Sequence, residues 1–316
     1  MRPLLMALAF ALALPFTFLR WLVDLLRRRT YVLRIDLDGT HPATPEPRSL
    51  LQRTRLTGID RSALRAHLRR VTDDPRVAAV QVNIGALSGG WAELYELRAA
   101  IRMARAPGRQ VVAFVTHADL RTLWVASAAD EVWLPPDVPT HAVGLGAELT
   151  FYGEALDKLG LDLEVLTAGA FKSAMEPFTR REPSPASREA IDALLDDLYA
   201  RVITDVAAAR GIPVEAAQEA LERGPQAPED LVEGKIAHRV VPEEDVEAAL
   251  EAGEDGPRVA RALIDHPGRR RPWPRWRWRR PRLALIEVAG LIREGSAERG
   301  GRRGATAVAV CAALDA

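Results

Sequence analysis

The sequence predicts an α/β protein built on a parallel sheet. Three observations carry that prediction. Short strand-like runs recur at 31–39, 77–84, 110–115 and 131–134. Stretches with helical spacing of apolar residues separate them, and glycine or proline stands at most of the joints. Strands alternating with helices at this spacing indicate βαβ units.

Taken in order, YVLRIDLDG (31–39) alternates apolar and polar residues and is closed by glycine, as a half-buried strand would be. A Pro-rich connection (42–47) leads to DRSALRAHLRRV (60–71), which reads as a helix. VAAVQVNI (77–84) is a buried strand, with GALSGG (85–90) as its turn. A helix over 91–106, the strand QVVAFV (110–115), a helix near 119–129 and the strand EVWL (131–134) follow. LDLEVLTAG (161–169) is one more predicted strand. It delivers TAGAFKSAMEPF (167–178) to a strand's C-terminal end, where α/β sheets usually place their chemistry. Ser184-Pro185 starts a helix, with a capping hydroxyl and proline at the first helical position. Ile191, Leu194, Leu195, Leu198, Val202, Ile203 and Val206 mark its apolar face, expected in the core, and Gly211 and Pro213 end it. That helix would pin the preceding loop to the domain.

The lysine in that loop stands out. Of 43 basic residues only Lys158, Lys172 and Lys235 are lysines. Arginine serves at surfaces and in ion pairs but cannot give up its proton, whereas a desolvated lysine can. Lys158, in a DKLG turn, and Lys235, in EGKIAHRVV, read as surface residues.

Composition excludes several classes. Formal net charge is zero, so no bulk field draws the chain to nucleic acid. One cysteine, Cys311, excludes an internal disulfide and a cysteine-rich metal site. The six histidines are scattered, with no HExxH, so neither metal nor cofactor is expected.

The N-terminus reads as a retained membrane anchor over 1–29. Its apolar run, MRPLLMALAFALALPFTFL, is near the lower limit for a bilayer span, and Trp21 suits the interface. A cleaved signal peptide is the rival, but no small-x-small site precedes the arginines. The Arg27–Arg29 cluster would hold the C-terminal side in the cytoplasm by the positive-inside rule. A hairpin-like or interfacial insertion is the alternative. Residues 266–281, around PWPRWRWRR, are a Trp/Arg-rich linker. Three readings stay open for it: a plain linker, a linker that touches lipid, and a grip on single-stranded nucleic acid, the least favoured. Beyond it, RLALIEVAGLI (282–292) repeats the pattern of VLRIDLDGTH (32–41), as if a second copy of the domain began and stopped within its first helix.

GAFKSAMEPFTRREPSPASREA (169–190), LWVASAADEVWLPP (123–136) and LTFYGEALDKLGL (149–161) resemble the signal peptide peptidase A (protease IV) family of bacterial membrane-bound serine proteases. They cover most of 30–255 in the right order. The resemblance implies a crotonase/Clp protease-like domain over 30–265 and a start of a truncated second domain over 282–316. It further implies a Ser–Lys dyad cleaving hydrophobic or signal peptides, a homo-oligomer, and a place in the bacterial cytoplasmic membrane. Lys172 matches the family's lysine base. The nucleophile is not matched. Aligned on Ala126–Asp130, Leu120 falls at its position, with Arg121 and Thr122 where glycines would be. Ser88 resembles the glycine-turn serine near an oxyanion hole, and also reads as an ordinary polar turn residue. Ser173 follows Lys172 and would point the opposite way in an extended segment. The expectation is a base-bearing portion of a protease, inactive alone. The alternatives are a catalytically dead membrane scaffold of the same fold and an acyl-CoA-handling relative of it.

Overall fold

The structure, a computed structural model, describes residues 30–42, 61–72, 74, 76–105, 109–251, 260–262, 291–293 and 304–306. The expected anchor, the Trp/Arg-rich linker and most of the second copy lie outside them. No helix among the described residues is long and apolar enough to cross a membrane. Two compact units are distinguished, 21–270 and 1–20 with 271–316.

Among the described residues, the main sheet of the larger unit has six strands: β1 (Tyr31–Gly39), β2 (Val77–Leu87), β3 (Gln110–Val115), β5 (Glu131–Leu134), β7 (Arg239–Val240) and β8 (Ala260–Ala262). They form one sheet in the order β7-β5-β3-β2-β1-β8, with every pairing parallel. The predicted α/β parallel sheet is therefore present. A separate parallel pair joins β4 (Ala118–Asp119) to β6 (Thr140–His141). In the smaller unit, β9 (Leu291–Arg293) pairs in parallel with β10 (Gly304–Thr306).

Period-two patterning decides which sheet face is covered. Leu33, Ile35 and Leu37 of β1, Val80, Val82 and Ile84 of β2, and Val111, Ala113 and Val115 of β3 share one buried core. Across it lie α1 (Arg61–Thr72), through Leu64, Leu68 and Val71, and α2 (Trp91–Ala104), through Leu94, Leu97 and Ile101. Each fully buried leucine or isoleucine contributes about 1.5–3 kcal/mol relative to exposure. On the other face Val112, Phe114 and Trp133 meet Val241 and Val246 in a smaller cluster. Strand β3 is apolar from Val111 to Val115 because both of its faces are covered there. Strand β1 alternates because Asp36 and Asp38 face solvent.

Helix α3 (Leu120–Ala126) starts on a reciprocal cap: the Asp119 carboxylate accepts from the Thr122 amide, and the Thr122 hydroxyl accepts from the Asp119 amide. The long helix α6 (Pro185–Arg210) begins at the Ser184 cap and stops at Gly211, whose φ of 66° is the left-handed conformation that glycine adopts freely. Helix α7 (Val214–Glu222) follows and buries Ala217, Ala220 and Leu221.

Four expectations need correction. Strand β2 continues through Gly85–Leu87, because its pairing with β1 resumes after a register shift, with Leu87 opposite Gly39. Residues 161–169 are extended but join no ladder, and all but Val165 are exposed. Their β-pattern is real, but no strand within the described residues lies beside them. Only the C-terminal half of α6 enters the core, through Val202, Ile203, Val206 and Ala207; Leu194 is 58% exposed. The edge strands β7 and β8 went unpredicted, since two and three residues are too few for a periodicity.

Candidate active site

The residues singled out in the sequence fall in two places, and the chain folds them differently. The first is the turn between β2 and α2 together with the start of α3. Ser88 is exposed there, and its amide donates to the Gly39 carbonyl at 2.9 Å. Leu120, the residue that the sequence resemblance aligns with a nucleophile, is 4% exposed and belongs to the apolar core. The Arg121 guanidinium lies over the Trp91 ring at 5.3 Å and reaches the Gly89 carbonyl at 3.5 Å. The Thr122 hydroxyl is used up in the helix cap. A leucine has no proton to lose and no lone pair to attack with. Leu120 therefore supplies no nucleophile at this turn.

The second place is an arm. Between Val143 and Arg201 only Gly153 and Ser187 are buried. Eleven of the thirteen large hydrophobics exposed in the described residues lie in that stretch, Leu166 at 94% and Phe171 at 61% among them. Such an apolar concentration marks a contact surface, since scattered exposed leucines are ordinary but a run of them is not.

The arm is held by its own short-range contacts. Helices α4 (Gly153–Lys158) and α5 (Glu176–Thr179) pack together. The Tyr152 amide donates to the Pro177 carbonyl at 2.6 Å, and the Tyr152 and Phe178 rings stack at 5.9 Å. Gly153 is required here: a Cβ would stand 2.5 Å from the Arg180 carbonyl oxygen. Glu176 closes the other side. Its carboxylate accepts from the Ser184 hydroxyl at 2.6 Å and the Ser184 amide at 2.9 Å. Those hydrogen bonds, the hydroxyl's first, hold the Glu176 carboxyl below its ordinary range.

Lys172 sits at the tip of this construction. Its amide donates to the Gly169 carbonyl at 3.3 Å, in a turn that uses φ of 99° at Gly169. Its side chain is exposed, and among the described residues its amine has no hydrogen-bond or ion-pair partner. Lys158 pairs with Glu154 at 3.0 Å on the α4 surface. Lys235 is exposed at φ 60° after α8 (Pro228–Glu233). Exposure alone therefore does not separate Lys172 from the other lysines; its setting in the arm does. Ser173 is half-buried, and its carbonyl accepts from the Glu176 amide at 3.0 Å.

One buried and one half-buried arginine fasten the root of the arm. Arg98 of α2 donates from Nε to the Trp124 carbonyl at 3.1 Å and from Nη2 to the Asp205 carbonyl at 3.1 Å. Its Nη1 lies 3.2 Å from the Asp205 carboxylate without hydrogen-bond alignment. Arg210 donates to the Ser127 and Ala129 carbonyls at 2.7 and 2.9 Å, and burial pushes its guanidinium down to about 10. Sequence reasoning missed both arginines, because in a chain this rich in arginine nothing local marks the buried ones. Glu176 was missed as well, although its spacing of eight from the capping serine was a usable signal.

Residues 104–253, which include most of the arm's root and all of its tip, match the profile of Peptidase family S49. Over that stretch the chain is similar to peptidase family S49, the signal peptide peptidase A family of serine-type peptidases. Over 180 residues the chain is 27% identical to the chloroplastic serine protease SPPA of Arabidopsis thaliana, covering 57% of this chain and 27% of that protein. Over 146 residues it is 29% identical to Protease 4 of Salmonella typhi, covering 46% of this chain and 24% of that protein. The chain thus spans about a quarter of the length of these two S49 relatives. Among solved structures, a serine-to-alanine mutant of the 1510-N membrane-bound stomatin-specific protease aligns with a TM-score of 0.42 at 11% identity, over 71% of this chain and 86% of that one.

Proposed function

We propose that this chain is the base-bearing portion of a membrane-anchored S49 serine endopeptidase. In this reading Lys172 is the general base of a Ser–Lys dyad, and the serine is supplied by a second domain. The carrying observation is Lys172 itself, an exposed amine without a partner among the described residues, on an arm whose apolar side chains stand open. A lysine accepts a serine proton only where water is excluded and the ammonium is destabilised. Leu166, Phe171 and Met175 flank it within six residues, and they are the surface that a docking domain or subunit would cover. Once covered, they supply that dry setting. The crotonase/Clp-like architecture, homo-oligomeric assembly, hydrophobic or signal peptides as substrates, and anchoring through 1–29 with lipid contact by the linker all belong to this proposal. No cofactor or metal is needed for the chemistry, because the base and a serine complete it.

The test is reconstitution. The purified chain alone is expected to hydrolyse no peptide, and fusion to an S49 domain carrying the serine is expected to restore cleavage of a signal-peptide substrate. In the fusion, Lys172→Arg keeps the charge and removes the exchangeable base, so turnover should vanish with the fold intact. Full activity in that variant would eliminate Lys172 as the base.

Leu120 favours a second reading, a scaffold without catalysis, since a buried leucine and the Arg121–Trp91 contact fill the place of a nucleophile. A fusion that assembles into oligomers yet cleaves nothing would select it.

A further inference from the structure

The proposed dyad leaves Glu176 without a task. Its geometry suggests one. Ser184 already caps α6, its Oγ accepting from the Ser187 amide at 3.1 Å. That cap does not require Glu176. The Glu176 carboxylate instead takes both of the donors Ser184 has left, amide and hydroxyl, and so ties α5 to the start of a 26-residue helix across eight residues of chain.

From Glu176 the bonds run on to the lysine. The Glu176 amide donates to the Ser173 carbonyl, next to Lys172, and the Lys172 amide donates to Gly169. A four-residue helix cannot hold itself, since one turn fixes several dihedrals for a single hydrogen bond. Helix α5 is gripped on one side by Tyr152 and Gly153 and on the other by Ser184. Only the second grip reaches the helix that is rooted in the core through Val202 and Val206.

We propose that Glu176 and Ser184 form a clasp that presets the Lys172 loop, making Glu176 a positioning residue for the base. The inference rests on Lys172 being that base. It deepens the reading by naming what holds the amine in place before its partner surface arrives. The chemistry favours a carboxylate at this position, because one carboxylate accepts two hydrogen bonds at once from donors on the same residue. A glutamine keeps a single acceptor oxygen, and an alanine keeps none.

The test uses two readouts. Hydrogen exchange on this chain should show amides 170–176 exchanging roughly 10-fold faster in Glu176→Ala, with the core strands β1–β3 unchanged. In the reconstituted fusion, kcat should fall roughly 10- to 100-fold while KM holds, the signature of a mis-set base rather than lost substrate binding. Ser184→Thr keeps both donors and should behave as wild type in both readouts; a merely bulky disturbance of the loop would not be rescued this way. Wild-type exchange and wild-type kcat in Glu176→Ala would overturn the clasp. The parallel Lys172→Arg fusion separates the two ideas. If it still turns over, the lysine reading has failed. If it is dead while Glu176→Ala is normal, the clasp alone has failed.

Discussion

Replacing Arg98 with methionine tests how the arm is rooted. The guanidinium is 3% exposed and lies among α2, α3 and α6. Methionine keeps the stem's packing and removes the charge, taking the guanidinium donor from the Asp205 and Trp124 carbonyls and leaving the latter its Ser127 hydroxyl at 2.7 Å. Two well-formed hydrogen bonds from a charged donor are worth about 1.5–3 kcal/mol each. Against that stands the guanidinium's own desolvation, the leading cause of its lowered pKa, which methionine relieves. The Asp205 carboxylate also keeps one partner, the Trp124 indole N–H at 2.9 Å. The net expectation is a destabilisation of about 3 kcal/mol, toward the low end for breaking a buried pair. With a urea slope of about 3 kcal/mol/M for a domain of this size, the midpoint should fall by about 1 M. Arg98→Lys should recover little, because one ammonium cannot reach three separated acceptors. A midpoint shift below about 0.3 M in Arg98→Met would show that the network is decorative and that apolar packing alone fastens α6.

Three further outcomes follow from the same structure. The Val132 amide donates to His238 Nδ1 at 3.1 Å, so the ring is a neutral acceptor there, and burial followed by Arg210 lowers its pKa. The folded pKa lies below the unfolded value, so stability is fully present above about pH 6.5 and declines as pH falls through the window beneath it. His238→Gln should flatten that decline in urea melts taken from pH 7.5 to 5; an unchanged slope would assign it to other groups. Lys235 adopts φ 60° just after α8, a left-handed conformation unfavourable for a residue with a Cβ. Lys235→Gly should therefore raise stability by up to about 1 kcal/mol in thermal melts, and a loss would contradict the strain. Leu166→Glu, at a site 94% exposed, should leave the melting of this chain within about 0.5 kcal/mol while weakening self-association measured by sedimentation. Undiminished association would put the contact surface elsewhere.

The sheet was legible in the sequence wherever burial imposed a period. Strands β1, β2, β3 and β5 each carry enough apolar residues to show alternation or a continuous run, and the sheet they form is parallel as expected. The cap at Ser184 and the stop at Gly211 were legible for a different reason, being local stereochemistry that one or two residues decide. What failed was inference from pattern to burial. Ile191, Leu194, Leu195 and Leu198 carry the helical stripe of a core helix, yet none is buried. The same holds for 161–169, whose alternation reports a strand without saying beside what. An apolar stripe states that a surface is to be covered and is silent on which chain covers it. Arg98 and Arg210 were invisible for the converse reason: their placement depends on acceptors gathered from distant parts of the chain, 124–129 and Asp205.

That silence bears on how an exposed lysine fits a catalytic reading. Fixing a residue's backbone costs about 1–2 kcal/mol, and a stretch with two buried residues between 143 and 201 recovers little of it from its own burial. A hydrogen bond such as Tyr152 to Pro177 adds about 1 kcal/mol net, well short of the whole. The missing stabilisation has a natural source in the leucines and aromatics the arm leaves open, at about 25 cal/mol per Å² once another surface removes them from water. A single docking event would then do two things at once. It would bury the apolar side chains that make the arm worth ordering, and it would strip water from Lys172, which lies among them. On this account the amine is inert while the arm is uncovered and becomes a base only in the assembled enzyme, which couples proteolytic chemistry to assembly through the same square ångströms.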